Sequence, residues 1–113
     1  MEFYTEMKTM FEFLKNMMGP AESPSLREVL ERDPMIVDVR SPFEFDQGHI
    51  RGSVNIPVNQ LPRDIEEIKS RGIPVVVVCR SGARSKMAAE ILREAGVEVY
   101  NGGAWVQVEG ARL

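Results

Sequence analysis

Ile73-Pro74-Val75-Val76-Val77-Val78-Cys79-Arg80-Ser81-Gly82-Ala83-Arg84-Ser85, continued through Lys86-Met87-Ala88-Ala89-Glu90-Ile91-Leu92-Arg93-Glu94-Ala95-Gly96 to Val97-Glu98-Val99-Tyr100, spells a strand, a tight loop, a helix and another strand in succession. Ile73 to Val78 reads as a strand, and Val75 to Cys79 is the longest uninterrupted apolar run of the chain, the pattern of a strand buried on both faces. Arg80 to Ala83 is a loop of small and charged residues. From there to Ala95 the apolar residues Met87, Ala88, Ile91, Leu92 and Ala95 recur at helical spacing, a buried face that Gly96 closes. Val97 to Tyr100 then reads as a strand again.

Upstream, the same alternation recurs. Ser25 followed by Glu28 is a capping-box pattern ahead of Leu26, Val29 and Leu30, so a helix is expected to about Arg32, where Asp33-Pro34 breaks it. Met35 to Val39 reads as a buried strand, Pro42 opens a short helix through Phe45, and Gly48 and Gly52 mark turns before a brief strand at Val54 to Ile56. Pro62 begins a further helix with Leu61, Ile65 and Ile68 on one face and Gly72 as its stop. Strands separated by helices imply the α/β class, a small parallel sheet covered by helices on both faces in three layers.

Ahead of this lies a different pattern. Phe3, Met7, Met10, Phe11, Leu14, Met17 and Met18 form one apolar stripe on a helix that Gly19-Pro20 ends. The chain therefore divides into an amphipathic extension, residues 1–20, and a domain, residues 21–113. The stripe is expected to pack on its own domain or on a second copy of the chain, a homodimer through residues 3–18. A membrane surface is the alternative, disfavoured because Lys8 and Lys15 are the only cations on that helix.

The chain has 113 residues, 43% apolar and 27% charged, which fits one ordinary globular domain able to bury a core without disulfides. A net charge of −3 gives no basic excess for a phosphate backbone, so nucleic acid is not an expected partner. One cysteine and one histidine, His49, exclude an internal disulfide and a thiolate–imidazole metal site; neither metal nor cofactor is expected. The lone thiol and the acidic N-terminus point to the cytoplasm, and no apolar run approaches the roughly 20 residues that span a bilayer.

The chemistry is expected at Cys79. Ligands of parallel α/β sheets bind beyond the carboxyl ends of the strands, and Cys79 ends the most apolar strand just before a helix. Ser81, Gly82, Ala83 and Ser85 allow the loop to turn its N–H groups inward as an anion-binding nest, and Arg80 and Arg84 add positive charge. Such surroundings raise the thiolate fraction of a cysteine. A small buried cysteine capping a strand is the alternative on position alone, but that role does not call for two arginines and a glycine in one tight turn.

This loop resembles the active-site loop of the rhodanese family. A second stretch agrees: Asp38-Val39-Arg40-Ser41-Pro42-Phe43-Glu44-Phe45-Asp46-Gln47-Gly48-His49-Ile50-Arg51-Gly52-Ser53-Val54-Asn55-Ile56-Pro57 is similar to the family's N-terminal signature. The resemblance covers roughly residues 25 to 110. It implies a single-domain sulfurtransferase in which the Cys79 thiolate takes the outer sulfur of a small anionic donor such as thiosulfate. The resulting persulfide would pass that sulfur to cyanide, a thiol or a carrier protein. The loop from Arg80 through Ser81, Gly82, Ala83 and Arg84 to Ser85 would bind substrate, its amides holding the persulfide charge and its two arginines the donor.

Asp38 and Arg40 are expected to form an ion pair bracing a strand end, Glu44 to hold the neighbouring loop, and His49 to serve as scaffold. Gly102-Gly103 followed by Ala104 and a single Trp105 departs from the family's glycine pair and two tryptophans, leaving Trp105 as either a pocket wall or a core residue. Two other readings compete: a rhodanese-like module that binds proteins without catalysis, and a cysteine-based phosphatase or arsenate reductase. The latter enzymes resemble Cys-x5-Arg, whereas Cys79 to Arg84 is Cys-x4-Arg, a tighter ring suited to one sulfur atom.

Overall fold

Four consecutive valines set the centre of the molecule. A computed structural model of the protein describes residues 24–112. In chain order its elements are α1 Leu26–Glu31, β1 Met35–Asp38, α2 Pro42–Asp46, β2 Val54–Asn55, α3 Leu61–Ser70, β3 Val75–Cys79, α4 Ala83–Glu94, β4 Val99–Ala104 and α5 Trp105–Ala111. The strands form one parallel sheet in the order β2-β1-β3-β4. With β1 on one side and β4 on the other, every residue of β3 is buried.

Side chains alternate across a strand, so β3 feeds two cores at once. Val75, Val77 and Cys79 face the layer of α3 and α4, where they meet Val37 of β1 and Val39 just beyond it with Leu61, Ile68, Ala88, Ala89 and Leu92. Val76 and Val78 face the other layer with Ile36, Val29 of α1, Val108 of α5 and Ile50. This is the three-layer α/β arrangement expected from the alternation of strands and helices. Each fully buried valine contributes up to about 1.5–3 kcal/mol, so β3 is a large contributor to stability for its length.

Local signals explain where the helices begin. The Ser25 hydroxyl accepts the Glu28 N–H at the start of α1. Ser41 and Glu44 form a complete capping box on α2, with Pro42 in the first turn. Pro62 lies in the first turn of α3. The α4 helix differs: its N-cap is Gly82 at φ +108°, without a side-chain cap, a conformation that favours glycine. Its first N–H groups are thereby left for something else.

The structure departs from the expected layout in three places. Met87 is 54% exposed, and Ser85 and Ala89 are buried in its place with Ala88 and Leu92; the face of α4 turned to the sheet is rotated toward its small residues, which let helix and sheet approach. The fourth strand extends past Tyr100 to Ala104. It does so through an irregularity in which Val77 pairs with Asn101 and Val78 with Gly103. Gly102 makes this fit, since a Cβ there would lie 2.8 Å from Val76 Cγ1, 2.9 Å from Val108 Cγ2 and 3.0 Å from Val78 Cγ1. Finally, α5 follows β4 directly and supplies Val108 to the second core. The helix and homodimer contact expected over residues 3–18 lie outside the described residues. Among the described residues no helix is long and apolar enough to cross a membrane.

Candidate active site

The end of β3 delivers the Cys79 sulfur to the α3/α4 side of the sheet, directly beneath the first turn of α4. Residues 80–82 turn sharply, and the positive φ of Gly82 points the N–H of that residue back at the sulfur. Gly82 N–H donates to Cys79 Sγ at 3.0 Å and Ser85 N–H at 3.4 Å. The Ser85 hydroxyl lies 3.4 Å from the same sulfur and donates to the Gly82 carbonyl at 3.0 Å. The N–H groups left over at the helix start are thus spent on sulfur, where the positive end of the helix also favours a negative charge.

Burial pushes the Cys79 thiol up, but the hydrogen bonds of the Ser85 hydroxyl and of the Ser85, Gly82 and Ser81 N–H groups outweigh it, and the net direction is down. Cys79 is 1% exposed, and bonds shielded from water in this way act more strongly than they would at the surface. The sequence identifies these loop residues, while the separate part played by the Ser85 hydroxyl depends on the turn of the chain.

The two loop arginines have different surroundings. Arg80 is exposed at the mouth of the turn and carries no ion pair among the described residues. Arg84 instead reaches across to α2, where its terminal nitrogens donate to Glu44 Oε1 at 2.7 Å and Oε2 at 2.9 Å. This leaves Nε and one hydrogen on each terminal nitrogen outside the pair. Glu44 also accepts the Ser41 N–H and hydroxyl. The Arg84 guanidinium, helped by the Ser41 N–H, lowers the Glu44 carboxyl to about 2. Arg84 also forms part of the wall of a cleft of about 270 Å³ that includes Val39, Ser41, Pro57 and Asn59. Val39 shares the inward face with Cys79.

Behind the loop sits a buried brace. The Arg40 guanidinium donates through Nε and a terminal nitrogen to Asp38, the shortest contact being 2.7 Å, and the other donor direction of that nitrogen meets the Gly48 carbonyl at 2.8 Å. Asn55 ties the same corner by donating to the carbonyls of Asp38 and Arg40. Trp105 lies under Arg40, 4.9 Å from its guanidinium carbon, and packs against the second core. Its indole also limits the space over Gly48. His49 stacks on Phe45 with ring centroids 3.6 Å apart, and its Nδ1 meets the Phe45 carbonyl at 2.8 Å. Neither His49 nor the Asp38–Arg40 pair hydrogen-bonds to Cys79.

Fold and loop together define a class: an α/β domain with a cysteine sulfur seated in an amide-lined turn beyond its central strand. The chain belongs to the Rhodanese-like domain family, which its residues 23–106 match. The putative thiosulfate sulfurtransferase, mitochondrial, of Schizosaccharomyces pombe is 35% identical over 97 residues, covering 74% of this chain and 68% of that protein. YqhL of Bacillus subtilis is 44% identical over 71 residues, 62% of this chain, and the chain spans 56% of the length of that relative. A solved structure of a rhodanese with anions from E. coli matches at a TM-score of 0.60 and 33% identity, over 66% of this chain and 89% of that one.

Proposed function

We propose that this chain is a sulfurtransferase that carries sulfane sulfur as a persulfide on Cys79, taking it from a donor such as thiosulfate and passing it to cyanide or a thiol. The observation that carries this reading is the convergence of two backbone N–H groups on a single buried sulfur, with the Ser85 hydroxyl 3.4 Å away. These donors stabilise negative charge at that point and are in place before any reaction begins.

In the loading step the Cys79 thiolate attacks the outer sulfur of thiosulfate. A sulfur–sulfur bond forms at Sγ, the bond between the two sulfurs of the donor breaks, and sulfite leaves with that electron pair. Cyanide then takes the outer sulfur as thiocyanate, and the pair returns to Sγ. No base is required once the thiol is ionised, which agrees with the commitment of His49 to Phe45. The exposed Arg80 supplies charge to draw in an anionic donor, and the N–H groups of Arg84 outside its ion pair offer a second contact.

Intact mass after incubating reduced protein with thiosulfate tests the proposal. The wild type is expected to gain one sulfur and lose it on adding cyanide, with thiocyanate appearing, while Cys79→Ser gains nothing. A wild type that gains no sulfur from any donor would leave protein binding as the function of the domain.

A further inference from the structure

The Ser85 hydroxyl stands between two acceptors that it cannot serve together. Ser85 is fully buried on the first turn of α4, with its oxygen 3.4 Å from Cys79 Sγ and 3.0 Å from the Gly82 carbonyl oxygen. A serine hydroxyl has one proton to donate. When Cys79 is a thiol, its S–H donates to Ser85 Oγ and the serine proton goes to Gly82. When Cys79 is a thiolate, the serine proton is needed on sulfur, where the bond is charge-assisted. Turning it there leaves nothing orphaned, because the Gly82 carbonyl also accepts the Lys86 N–H at 3.0 Å. Without that second donor the turn would expose a buried carbonyl and oppose itself.

We propose that Ser85 is a switching hydrogen-bond donor in sulfur transfer, its hydroxyl bonded to the Cys79 sulfur while that sulfur is a thiolate and turned to the Gly82 carbonyl while it is capped by a second sulfur. This rests on the reading of Cys79 as the sulfur carrier. During loading the electron pair on Sγ becomes the new sulfur–sulfur bond, and the negative charge moves to the outer sulfur. During discharge the acceptor's pair takes the outer sulfur, and the bonding pair returns to Sγ. Charge on Sγ therefore disappears in the first step and reappears in the second. The Gly82 and Ser85 N–H groups are fixed by the backbone, whereas the hydroxyl rotates about a single bond and follows the charge. Its contribution falls mainly on discharge, in which Cys79 is the leaving group.

Ser85→Ala removes the hydroxyl at a position where alanine favours the helix, and Ser85→Thr keeps it. Thiolate absorbance followed against pH is expected to show a midpoint at higher pH for Ser85→Ala and one close to wild type for Ser85→Thr. Above both midpoints, rapid mixing with thiosulfate is expected to load Ser85→Ala faster, about threefold for each unit the midpoint has moved, since a more basic thiolate is the better nucleophile. Discharge of the loaded variant to cyanide is expected to be slower, because the more basic sulfur leaves less readily. An unchanged midpoint in Ser85→Ala, or loading and discharge rates that move in the same direction, would overturn the proposal. The titration needs no sulfur donor, so a protein that never loads sulfur refutes the carrier reading while the midpoint still reports on Ser85.

Discussion

Replacing Asp38 with alanine strips a buried guanidinium of its counter-charge. Asp38 is 0% and Arg40 4% exposed. The carboxylate accepts the Arg40 N–H at 3.0 Å, Nε at 2.9 and 3.1 Å, and a terminal nitrogen at 2.7 Å. In Asp38→Ala that nitrogen keeps the Gly48 carbonyl, while the backbone N–H and Nε lose their acceptors. Breaking a buried pair from one side costs about 3–5 kcal/mol, because the surviving charge stays desolvated. For a domain of this size each kcal/mol lowers Tm by about 4–8 °C, so a fall of roughly 12–40 °C is expected. That is a large share of the ~5–15 kcal/mol by which such domains are stable. Urea unfolding followed by fluorescence of Trp105, which stacks under Arg40, reads the corner locally, and far-ultraviolet circular dichroism reads the whole fold; coincident transitions justify a single free energy. Asp38→Ala/Arg40→Met removes both charges and is expected to recover most of the loss. A cost below about 1 kcal/mol for the single variant, or a double variant no more stable than the single, would refute the reasoning.

Three further substitutions probe the ion pair beside the loop and the packing of β4 and α5. Glu44 has a folded value near 2 against an ordinary 4.5, so its ion pair stabilises fully above about pH 4.5 and is lost as pH falls toward 2. Wild type should therefore lose more stability than Glu44→Gln across that window, by about 0.2–1 kcal/mol since both partners are partly exposed; urea midpoints that run parallel through it would contradict the assignment. Gly102→Ala drives a methyl into Val76, Val78 and Val108 and should cost about 1–3 kcal/mol. Gly110→Ala, on the open side of α5, should instead stabilise by about 0.5–1 kcal/mol, and thermal melts that fail to separate the two would count against the bulged register.

Much of this layout is legible in local sequence because local chemistry determines it. Four valines in a row cannot lie half exposed, Ser41 and Glu44 have the spacing of a capping box, and a glycine three residues after Cys79 allows the positive φ that the loop adopts. What escaped reading depends on partners distant in sequence. Arg84 is 40 residues from Glu44, and nothing near either side chain signals the pairing. The continuation of β4 through two glycines contradicts their usual effect on strands and follows only from the valine walls that Gly102 fits between. Helix α5 contains Val106, Val108 and Gly110, weak helix formers all, and is held by the burial of Val108 against the sheet rather than by propensity. On α4, Ser85 and Ala89 face the sheet where hydrophobicity alone favours Met87, because size, more than hydrophobicity, decides which residues can touch a sheet.

The seat of the sulfur also depends on parity. Cys79 points toward α4 because it lies four positions, an even step, beyond Val75, whose side chain lies on the same face. Inserting or deleting one residue within β3 would reverse that facing and aim the thiol at the layer of α1 and Trp105, away from every donor that now surrounds it. Changes of two residues would restore the facing but displace the sulfur by roughly 6.6 Å along the strand, past the reach of the α4 amides. The interval from Val75 to Cys79 therefore tolerates no change of length that leaves the sulfur in its seat.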